Sequence, residues 1–340
     1  MELRLGIFLM YAKVNKNFRI GKGLWLICFL FQGIFIPLFY IVSFLMEVFK
    51  SSTEVKSYLQ KLRNNNKTIG FVPTMGALHQ GHISLINKAR SECNIVVSSI
   101  FVNPTQFNDL NDLKNYPRTL DRDIKMLNSA NCDMLFAPEI SEMYSEKELE
   151  LKKRNIEDKS WANGKNIDFG LLEKVMEGAH RPGHFNGVAQ IVSKLFKIIE
   201  PDKAYFGQKD FQQLAIIKSL VKQLQLPIEI IGCNIIREAN GLAMSSRNER
   251  LSAEDKERAS IISKALFKIN ELKNEKTVGE LKAIASAVLE QEPRIEPEYF
   301  EIANSETLET IPNNEKAKNA VACVAVRIGN TRLIDNILLG

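Results

Sequence analysis

The sequence predicts an α/β fold: a parallel sheet covered by helices, followed by a smaller α+β domain. Strand-like and helix-like stretches alternate from about residue 68 to residue 231, which is the rhythm of a parallel sheet with helical crossovers. The apolar run at 95–102 is nearly continuous, as a strand buried on both faces requires. After residue 234 the order changes to two helices followed by two strands.

The individual elements follow from apolar periodicity and β-branched content. Apolar or β-branched runs predict strands at 68–72, 95–102, 133–137, 204–206 and 228–231. Helical spacing predicts helices at 53–63, 81–91, 121–129, 187–199 and 210–225. The C-terminal part has predicted helices at 253–273 and 277–291 and predicted strands at 298–302 and 320–328. The resulting segments are 1–45, 46–235 and 236–340, with a charge-dense stretch at 145–166 that predicts a solvated surface excursion.

Composition limits the classes of function. The chain has 340 residues, 45% of them hydrophobic and 25% charged, as in ordinary globular domains. Of the formal net charge of +5, residues 1–23 carry +4 and residues 24–45 carry none, so the remainder carries +1. A net charge of +1 over residues 46–340 gives no sign of the strongly positive surface that binds nucleic acid. The five cysteines include no CxxC pair, which predicts buried free thiols in a reducing cytosol.

Residues 24–45 form an uncharged apolar run that is long enough to cross a bilayer, since about 20 apolar residues suffice. The basic residues precede this run, so a real anchor would export everything that follows it. From Met46 the sequence is typical of the start of a soluble domain. Our hypothesis is that residues 1–45 are an upstream extension, such as a mis-called start. A membrane-associated tail and a cleaved segment are the alternatives.

The most informative segment is PTMGALHQGH at 73–82, where a predicted strand gives way to a glycine-bearing turn and a helix. A helix N-terminus presents free N–H groups and a partial positive charge, so it suits phosphate. Gly76 and Gly81 let the backbone approach a ligand closely. His79 and His82 are three residues apart, so on a first helical turn both face the same way. Both can donate to phosphate oxygens.

A second segment, LAMSSRN at 242–248, carries donors that suit a polyphosphate. Ser245 and Ser246 supply hydroxyls, and the guanidinium of Arg247 can hold a departing pyrophosphate through two parallel contacts. Such a string by itself is typical of any polar turn. Its weight comes from its partnership with the first segment.

Two further segments lie where predicted strands end, and open parallel sheets bind ligands at that edge. In FGQKDFQQL, Lys209 can neutralise phosphate charge, and Gln212 and Gln213 can hydrogen-bond a polar, non-ionic substrate group. In FVNPTQF, Asn103 and Gln106 are candidates for contacts with substrate hydroxyls.

Residues 177–187 place two histidines, an arginine and three glycines before a predicted helix, which predicts a loop positioned over the site. Asp121 and Asp123 open another predicted helix. They can help to hold Mg²⁺, which usually takes one or two carboxylates plus phosphates and water. A helix-capping role is the alternative for both.

Taken together, these segments resemble the pantothenate synthetase family. PTMGALHQGH looks like the HIGH-type motif of adenylate-forming nucleotidyltransferases, and LAMSSRN resembles their KMSKS-type loop. The ordered presence of FVNPTQF, RPGHFNGV and FGQKDFQQL narrows the resemblance to pantoate–β-alanine ligases, from about residue 46 to the C-terminus. It implies a Rossmann-like nucleotide- and pantoate-binding domain, a small C-terminal lid domain, a cytoplasmic homodimer, and Mg²⁺ with ATP as co-substrate.

The reaction implied by the resemblance joins (R)-pantoate to β-alanine through pantoyl adenylate, with release of AMP and pyrophosphate. The implied catalytic residues are His79, His82, Lys209 and Arg247. Gln106 and Gln213 are implied to hold pantoate, beside the candidate Asn103, and Asp123 is implied to lie near the metal. The ATP-binding residues implied by position are Met75, Gly76, Ala77, Leu78, His79, Gln80, Gly81, His82, Gly207, Gln208, Lys209, Asp210, Ile236, Met244, Ser245, Ser246 and Arg247.

Some features depart from the family. Residues 1–45 have no counterpart, the 145–166 excursion is longer than usual, and Gln208 stands where many relatives carry Glu. One rival interpretation is a different nucleotidyltransferase, making a dinucleotide or a CDP-alcohol, which would lack the paired glutamines and RPGHF. Another is a membrane-tethered, catalytically inactive binding protein, which the apolar segment favours and the intact motifs oppose.

Overall fold

A computed structural model describes residues 46–153 and 167–340, and the backbone of residues 14–19, 24–31 and 34–41. The chain divides into two compact units, Met1–Met46 and Glu47–Gly340. The charge-dense excursion predicted at 145–166 begins with a short helix, and its continuation at 154–166 lies outside the described residues.

The first unit contains an antiparallel sheet of three strands. These are β1 (Val14–Arg19), β2 (Leu24–Phe31) and β3 (Ile34–Ile41), paired in chain order. Most of the apolar run considered as a membrane segment therefore forms strands. Its many Phe and Ile residues suit strands, because branched and aromatic side chains fit a pleated surface. In the part of the chain that the structure describes, no helix has both the length and the apolar character to span a membrane.

The second unit is built on a six-stranded sheet in which every neighbouring pair is parallel. Its strands are β4 (Glu47–Phe49), β5 (Ile69–Thr74), β6 (Ile95–Ile100), β7 (Met134–Phe136), β8 (Lys203–Gly207) and β9 (Glu229–Cys233). Their spatial order is β4-β7-β6-β5-β8-β9. The chain moves outward from β5 to β7 and then returns to the other side of β5. A crevice forms where the order reverses, at the carboxyl ends of β5 and β8, and such crevices bind ligands in doubly wound sheets.

Five of the described helices that connect these strands lie close to the predicted positions, and four shorter ones were not predicted. Together they are α1 (Ser52–Arg63), α2 (Gln80–Glu92), α3 (Leu110–Lys114), α4 (Leu120–Ser129), α5 (Ile140–Met143), α6 (Glu146–Lys153), α7 (Met176–His180), α8 (His184–Ile199) and α9 (Phe211–Leu224). A hydrophobic core among the described residues joins β5, β6, β7 and β8 to α1, α8 and α9. This core fixes the strand ends that carry the predicted site residues.

The C-terminal part has its own hydrophobic core. Helices α10 (Ala253–Ala259), α11 (Ile261–Leu272) and α12 (Val278–Leu289) precede an antiparallel sheet of β10 (Ile295–Asn304), β11 (Ala320–Ile328) and β12 (Thr331–Leu338). Apolar side chains of α11 and α12 pack with those of the sheet.

The predicted fold class is confirmed: a parallel sheet with helices is followed by a small antiparallel sheet with its own helices. The single helix predicted at 253–273 is wrong, because it is interrupted at the buried Ser260. There the N–H of Ser260 donates to the carbonyl of Glu257, one residue short of the α-helical partner. The prediction also missed β4 and β12. β4 has only three residues, and β12 interrupts its apolar residues with charged and polar ones.

Candidate active site

Most of the predicted ligand-binding residues meet in one cleft at the carboxyl ends of β5, β6 and β8. The cleft has a volume of about 210 Å³. The predicted residues that line it are Met75, His79, Gly81, His82, Asn103, Gln106, Gly207, Lys209, Asp210, Gln213, Ile236, Met244, Ser245, Ser246 and Arg247. Five residues predicted from the same segments do not line the cleft: Gly76, Ala77, Leu78, Gln80 and Gln208.

The two histidines of the first segment have their tautomers set by the backbone. Nδ1 of His79 accepts from the N–H of Gly81 at 3.1 Å, and Nδ1 of His82 accepts from the N–H of His79 at 3.3 Å. A neutral imidazole that accepts at one nitrogen carries its proton on the other. Each ring is therefore left with an Nε2–H donor, and both rings line the cleft with centroids 4.1 Å apart.

Both imidazoles are held neutral by their surroundings. Burial, followed by the nearby charge of Lys209, lowers the pKa of His79 from its ordinary value to about 4. Burial also lowers the pKa of His82 well below its usual range, with His79 and Lys209 adding to the effect. Near neutral pH the pair thus offers two hydrogen-bond donors without adding charge. Such donors suit phosphate oxygens whose charge grows during a reaction.

Two glycines permit this arrangement. Gly76 has a φ of +81°, a conformation that glycine adopts without the strain imposed by a Cβ. A Cβ on Gly81 would lie 2.8 Å from Cε1 of His79. The absence of a side chain at Gly81 therefore allows the His79 ring to fold back over the helix N-terminus.

The carboxylate of Asp123, which was predicted to lie near a metal, is committed to the turn between β5 and α2. Oδ2 accepts from the N–H of Ala77 and Oδ1 from that of Leu78, each at 2.9 Å, and Oδ1 also accepts from Thr119. The Asp123 side chain is fully buried, as are Ala77 and Leu78. This geometry favours a role for Asp123 in shaping the turn, and Asp123 is not among the described residues that line the cleft.

The two remaining residues outside the lining are glutamines. Gln80 is exposed and borders a separate groove with Arg122 and Lys125. Gln208 contributes its backbone carbonyl, which accepts from the side chain of Asn336 at 2.9 Å. The structure therefore brings neither side chain to the cleft.

The two segments with phosphate-binding character touch each other directly. Oγ of Ser246 donates to the carbonyl oxygen of Ala77 at 3.0 Å. Oγ of Ser245 accepts from the N–H of Arg247 at 3.3 Å, which opens a short 3₁₀ turn, Ser246–Arg250. Residues 169 positions apart in the chain are thus joined across the cleft, which is the convergence that the predicted function requires.

Arg247 is held on one edge by an acidic residue of α3. Its Nη2 donates to Oδ2 of Asp112 at 2.7 Å and its Nε to Oδ1 at 3.4 Å, while Nη1 of Arg250 donates to Oδ1 at 2.8 Å. The Arg247 guanidinium also lies over the ring of Tyr116, 5.7 Å from its centroid. Arg247 therefore enters the cleft as a fixed cation, and its Nη1 donors have no hydrogen-bond partner among the residues that the structure describes.

Lys209 lies in a 3₁₀ turn, Gln208–Asp210, that follows β8. Its Nζ donates to Oδ1 of Asp210 at 3.1 Å. Asp210 is the single acidic residue among the described residues that line the cleft, whereas Arg181, Lys209 and Arg247 are all basic. The cleft consequently has a surplus of positive charge and suits an anionic ligand.

Asn103 and Gln106, the two amide residues that follow β6, have different roles. Asn103 is buried, and its side chain is occupied by Gln106, Gly187, Thr105 and Tyr144. Its Nδ2 donates to Oε1 of Gln106 at 3.1 Å, so it orients Gln106 within the cleft. This geometry favours positioning over direct substrate contact for Asn103.

The two predicted glutamines, Gln212 and Gln213, are neighbours on α9, but their side chains point to different places. Gln213 lines the cleft. Gln212 is buried and turned away, since its Nε2 donates to the carbonyls of Leu172 and Val175 and its Oε1 accepts from the N–H of Glu177.

Sequence reasoning placed residues 177–187 in a loop over the site but did not name Arg181 or His184 as site residues. Both line the cleft. Nδ1 of His184 lies 2.7 Å from the carbonyl of Gln106, and its Nε2 lies 3.1 Å from Nη1 of Arg181. A carbonyl can only accept and a guanidinium can only donate, so His184 is neutral with its proton on Nδ1. Burial, followed by the charge of Arg181, lowers the His184 pKa to about 3.

Fold and site together define the class of protein. A doubly wound sheet carries neutral imidazole donors, hydroxyls and fixed cations around one crevice, as an α/β enzyme acting on a polyphosphate requires. The sequence model of the family described as pantoate-beta-alanine ligase matches residues 47–338. The chain therefore belongs to the pantoate–β-alanine ligase family.

Individual relatives agree with this assignment. Pantothenate synthetases of Porphyromonas gingivalis and Bacteroides thetaiotaomicron are 47% and 46% identical over 292 residues, which cover 86% of this chain and 99% and 98% of theirs. The crystal structure of pantothenate synthetase from Thermus thermophilus is similar with a TM-score of 0.76 at 37% identity, covering 86% of this chain and 99% of that one. Pantoate–β-alanine ligase from Francisella tularensis, complexed with β,γ-ATP and β-alanine, gives a TM-score of 0.64 at 36% identity over 86% and 98% of the two chains.

Proposed function

We propose that this chain condenses (R)-pantoate with β-alanine at the expense of ATP, and that the reaction passes through pantoyl adenylate. The pantothenate-forming ligase activity follows from membership of the family. The single observation that carries the adenylate route is the hydrogen bond between Ser246 and Ala77. It closes the serine–arginine segment onto the histidine segment, so that donors from both surround one crevice.

In the first step a pantoate carboxylate oxygen attacks the α-phosphorus of ATP, and the bond to pyrophosphate breaks. The carboxylate is already ionised, so this step needs no strong general base. The protein's task is to position the reactants and stabilise the charge on the phosphate oxygens. The Nε2–H groups of His79 and His82 donate hydrogen bonds to the phosphate oxygens. Lys209 and Arg247 compensate the negative charge of the departing pyrophosphate.

In the second step the amine nitrogen of β-alanine attacks the acyl carbon of the adenylate. The amide bond forms, AMP leaves, and the amine releases a proton. Gln106 and Gln213 are the proposed contacts of pantoate, and Asn103 positions Gln106. Support for these roles comes from the placement of both glutamines in the cleft and from the bond between Asn103 and Gln106.

The residues present are compatible with Mg²⁺ only if the ion arrives with ATP. In the described part of the chain, no group of three or more His, Cys, Asp and Glu side chains is arranged to hold a metal. Asp210 is the one carboxylate among the described cleft-lining residues, and Mg²⁺ commonly binds through one or two carboxylates plus substrate phosphates. Asp210 would therefore hold the ion, which would neutralise phosphate charge, and Asp123 would keep the turn in place.

The remaining expectations from the family resemblance stand as parts of this proposal. Residues 46–235 bind the nucleotide and pantoate, and residues 236–340 act as a lid that brings Arg247 to the cleft. The enzyme acts as a homodimer in the cytoplasm, where ATP is available. The N-terminal residues 1–45 have no part in the chemistry.

The test is pantoate-dependent exchange of labelled pyrophosphate into ATP, measured on the full chain. Exchange that requires pantoate and proceeds without β-alanine is expected, because adenylation precedes amide formation. Addition of β-alanine should then produce pantothenate and AMP. An absence of pantoate-dependent exchange would contradict the proposal. Exchange that depends instead on a mononucleotide would point to another nucleotidyltransferase.

A further inference from the structure

Two neighbouring residues of β12 reach both of the segments that carry phosphate-binding donors. Asn336 is buried, and its side-chain Nδ2 donates to the carbonyl oxygens of Gln208 at 2.9 Å and of Lys209 at 2.8 Å. An asparagine amide has two N–H donors. Both are therefore used on consecutive carbonyls of the 3₁₀ turn that carries Lys209.

Asp335, the residue before it, is also buried. Its carboxylate accepts two bonds from Arg237, Nη1 to Oδ2 at 2.6 Å and Nη2 to Oδ1 at 3.1 Å. Arg237 in turn donates to the carbonyl of Gly241 at 3.1 Å. This arrangement braces a tight hairpin in which Arg237 pairs with Ala243.

That hairpin leads directly into the serine–arginine segment. The N–H of Met244 donates to the carbonyl of Ile236 at 2.9 Å, and Ser245, Ser246 and Arg247 follow. The Asp335–Asn336 dipeptide thus holds the base of one donor-bearing segment through Asp335 and the backbone of the other through Asn336.

The packing between the Lys209 turn and β12 is incomplete. A small cavity of about 30 Å³ lies between this turn and β12, bordered by Lys209, Asp335 and Asn336. A void offers no contact atoms to the groups that line it, so the two amide bonds from Asn336 supply a directional restraint at this point. Their loss would let the turn rotate and would move the Lys209 ammonium within the cleft.

We propose that the Asp335–Asn336 dipeptide positions the two phosphate-binding segments relative to each other, and that Asn336 is a positioning residue that acts through Lys209. The inference rests on the proposed function, because it concerns how Lys209 is delivered to the reacting phosphates. Asn336 itself lies outside the cleft lining, and its side-chain Nδ2 donates to backbone carbonyls of the turn.

The direct test is Asn336→Asp in the full chain. Aspartate has nearly the same shape, but its carboxylate lacks both donors and would face two carbonyl oxygens. The turnover of pantoate-dependent pyrophosphate exchange should fall about 100-fold, the cost expected for a reacting group displaced by roughly 1 Å. The KM for pantoate should change by less than about twofold, because the pantoate contacts are untouched. Asn314→Asp is the matched control, since Asn314 is exposed and distant in the chain from the site segments.

A double-mutant cycle with Lys209→Ala separates positioning through Lys209 from general damage. If Asn336 acts through Lys209, the double variant should match Lys209→Ala alone within about twofold. Losses that multiply would overturn the inference, as would a folded Asn336→Asp enzyme with wild-type turnover. Asn336→Ala, which removes the donors without adding charge, repeats the test. If neither variant shows a cooperative unfolding transition, the amide serves the fold and the inference is wrong.

The same cycle distinguishes failure of the inference from failure of the proposed function. If Lys209→Ala abolishes exchange while Asn336→Asp retains it, only the positioning inference fails. If Lys209→Ala leaves exchange unchanged, the role proposed for Lys209 fails first, and the inference built on it fails too.

Discussion

Asp112 and Arg247 form a two-point contact across 135 residues of chain, with Nη2 to Oδ2 at 2.7 Å and Nε to Oδ1 at 3.4 Å. Both side chains are largely buried. The carboxylate occupies one edge of the guanidinium and so decides which edge can face a ligand. A residue of the short helix α3 thereby sets the orientation of a cation in the cleft.

Asp112→Asn is expected to weaken this control. An amide keeps the shape of the side chain but cannot accept on both atoms from Arg247 and Arg250. Hydrogen bonds to charged groups contribute about 1.5–3 kcal/mol, so kcat/KM for ATP in pyrophosphate exchange should fall about tenfold or more. Asp121→Asn is the control and should behave as wild type, because Asp121, a magnesium candidate from the sequence, is exposed on the first turn of α4 and is not among the described residues that line the cleft. Unchanged kinetics for Asp112→Asn would show that Arg247 is held in place without it.

His82→Ala removes one of the two Nε2–H donors and should lower adenylation far more than it weakens pantoate binding. The loss of one preorganised donor typically costs about 10²–10³-fold in kcat. Steady-state exchange gives kcat, and pantoate titration of the variant gives the dissociation constant. His180→Ala provides the comparison, because His180 is exposed and stacks on Tyr299 instead of lining the cleft. Equal turnover in wild type and His82→Ala would refute the proposed role.

The neutral state of His184 makes stability depend on pH. Its pKa is lowered to about 3 by burial and then by Arg181, so below pH 6.5 the unfolded chain takes up a proton that the folded chain does not. The contribution of His184 to stability is fully present above pH 6.5 and falls with acidification by about 1.4 kcal/mol per pH unit. His79 and His82 also have lowered pKa values and add to the total slope. Urea denaturation between pH 6.5 and 5 therefore measures the His184 share as the difference between wild type and a variant without this histidine.

His184→Gln supplies the control for that slope, because glutamine occupies the site without titrating. The stability of the variant should vary less steeply with pH, by about 1.4 kcal/mol per unit. Burial opposes ionisation of Glu177, but Arg332 outweighs it and holds the pKa of this carboxyl at about 2, so its own contribution is lost only below pH 4.5. Glu177 therefore does not change the stability between pH 6.5 and 5, and the pH dependence in that range comes from the histidines. Parallel slopes for both proteins would contradict the assignment of a neutral His184.

Gly81→Ala should separate activity from stability. The added Cβ would approach Cε1 of His79 to 2.8 Å, so the ring must leave the position in which the backbone holds its tautomer. Alanine in a helix interior is favoured over glycine by up to about 1 kcal/mol, but displacement of the ring breaks the cap bond from the N–H of Gly81, a loss of similar size. We expect turnover to drop at least tenfold with a thermal midpoint close to that of wild type.

Asn87→Ala, at an exposed position of the same helix, tests the effect of helix propensity alone and should leave turnover unchanged. A Gly81→Ala enzyme that keeps full turnover would mean that the close packing of His79 on Gly81 is dispensable.

Local chemistry in the sequence was sufficient for several features. The alternation of strands and helices predicted the parallel sheet, and strand ends marked PTMGALHQGH and FGQKDFQQL as neighbours in one crevice. These predictions succeed because the carboxyl ends of parallel strands meet at one edge. The assignment of roles to individual amides and carboxylates in those segments was less complete, as Gln212 and Asp123 illustrate. Both sit in the expected segments, yet both direct their side chains to backbone groups.

The sequence by itself determined the fold class, the family resemblance and the segments that carry His79, Lys209 and Arg247, because these depend on periodicity and on residue types in fixed order. Only the tertiary structure decided which side chains those segments aim at the cleft and which partners fix them. Arg181, Asp112 and Asn336 owe their positions to contacts with residues 75 to 135 positions away. Such contacts depend on the packing of whole elements, and no local pattern records them.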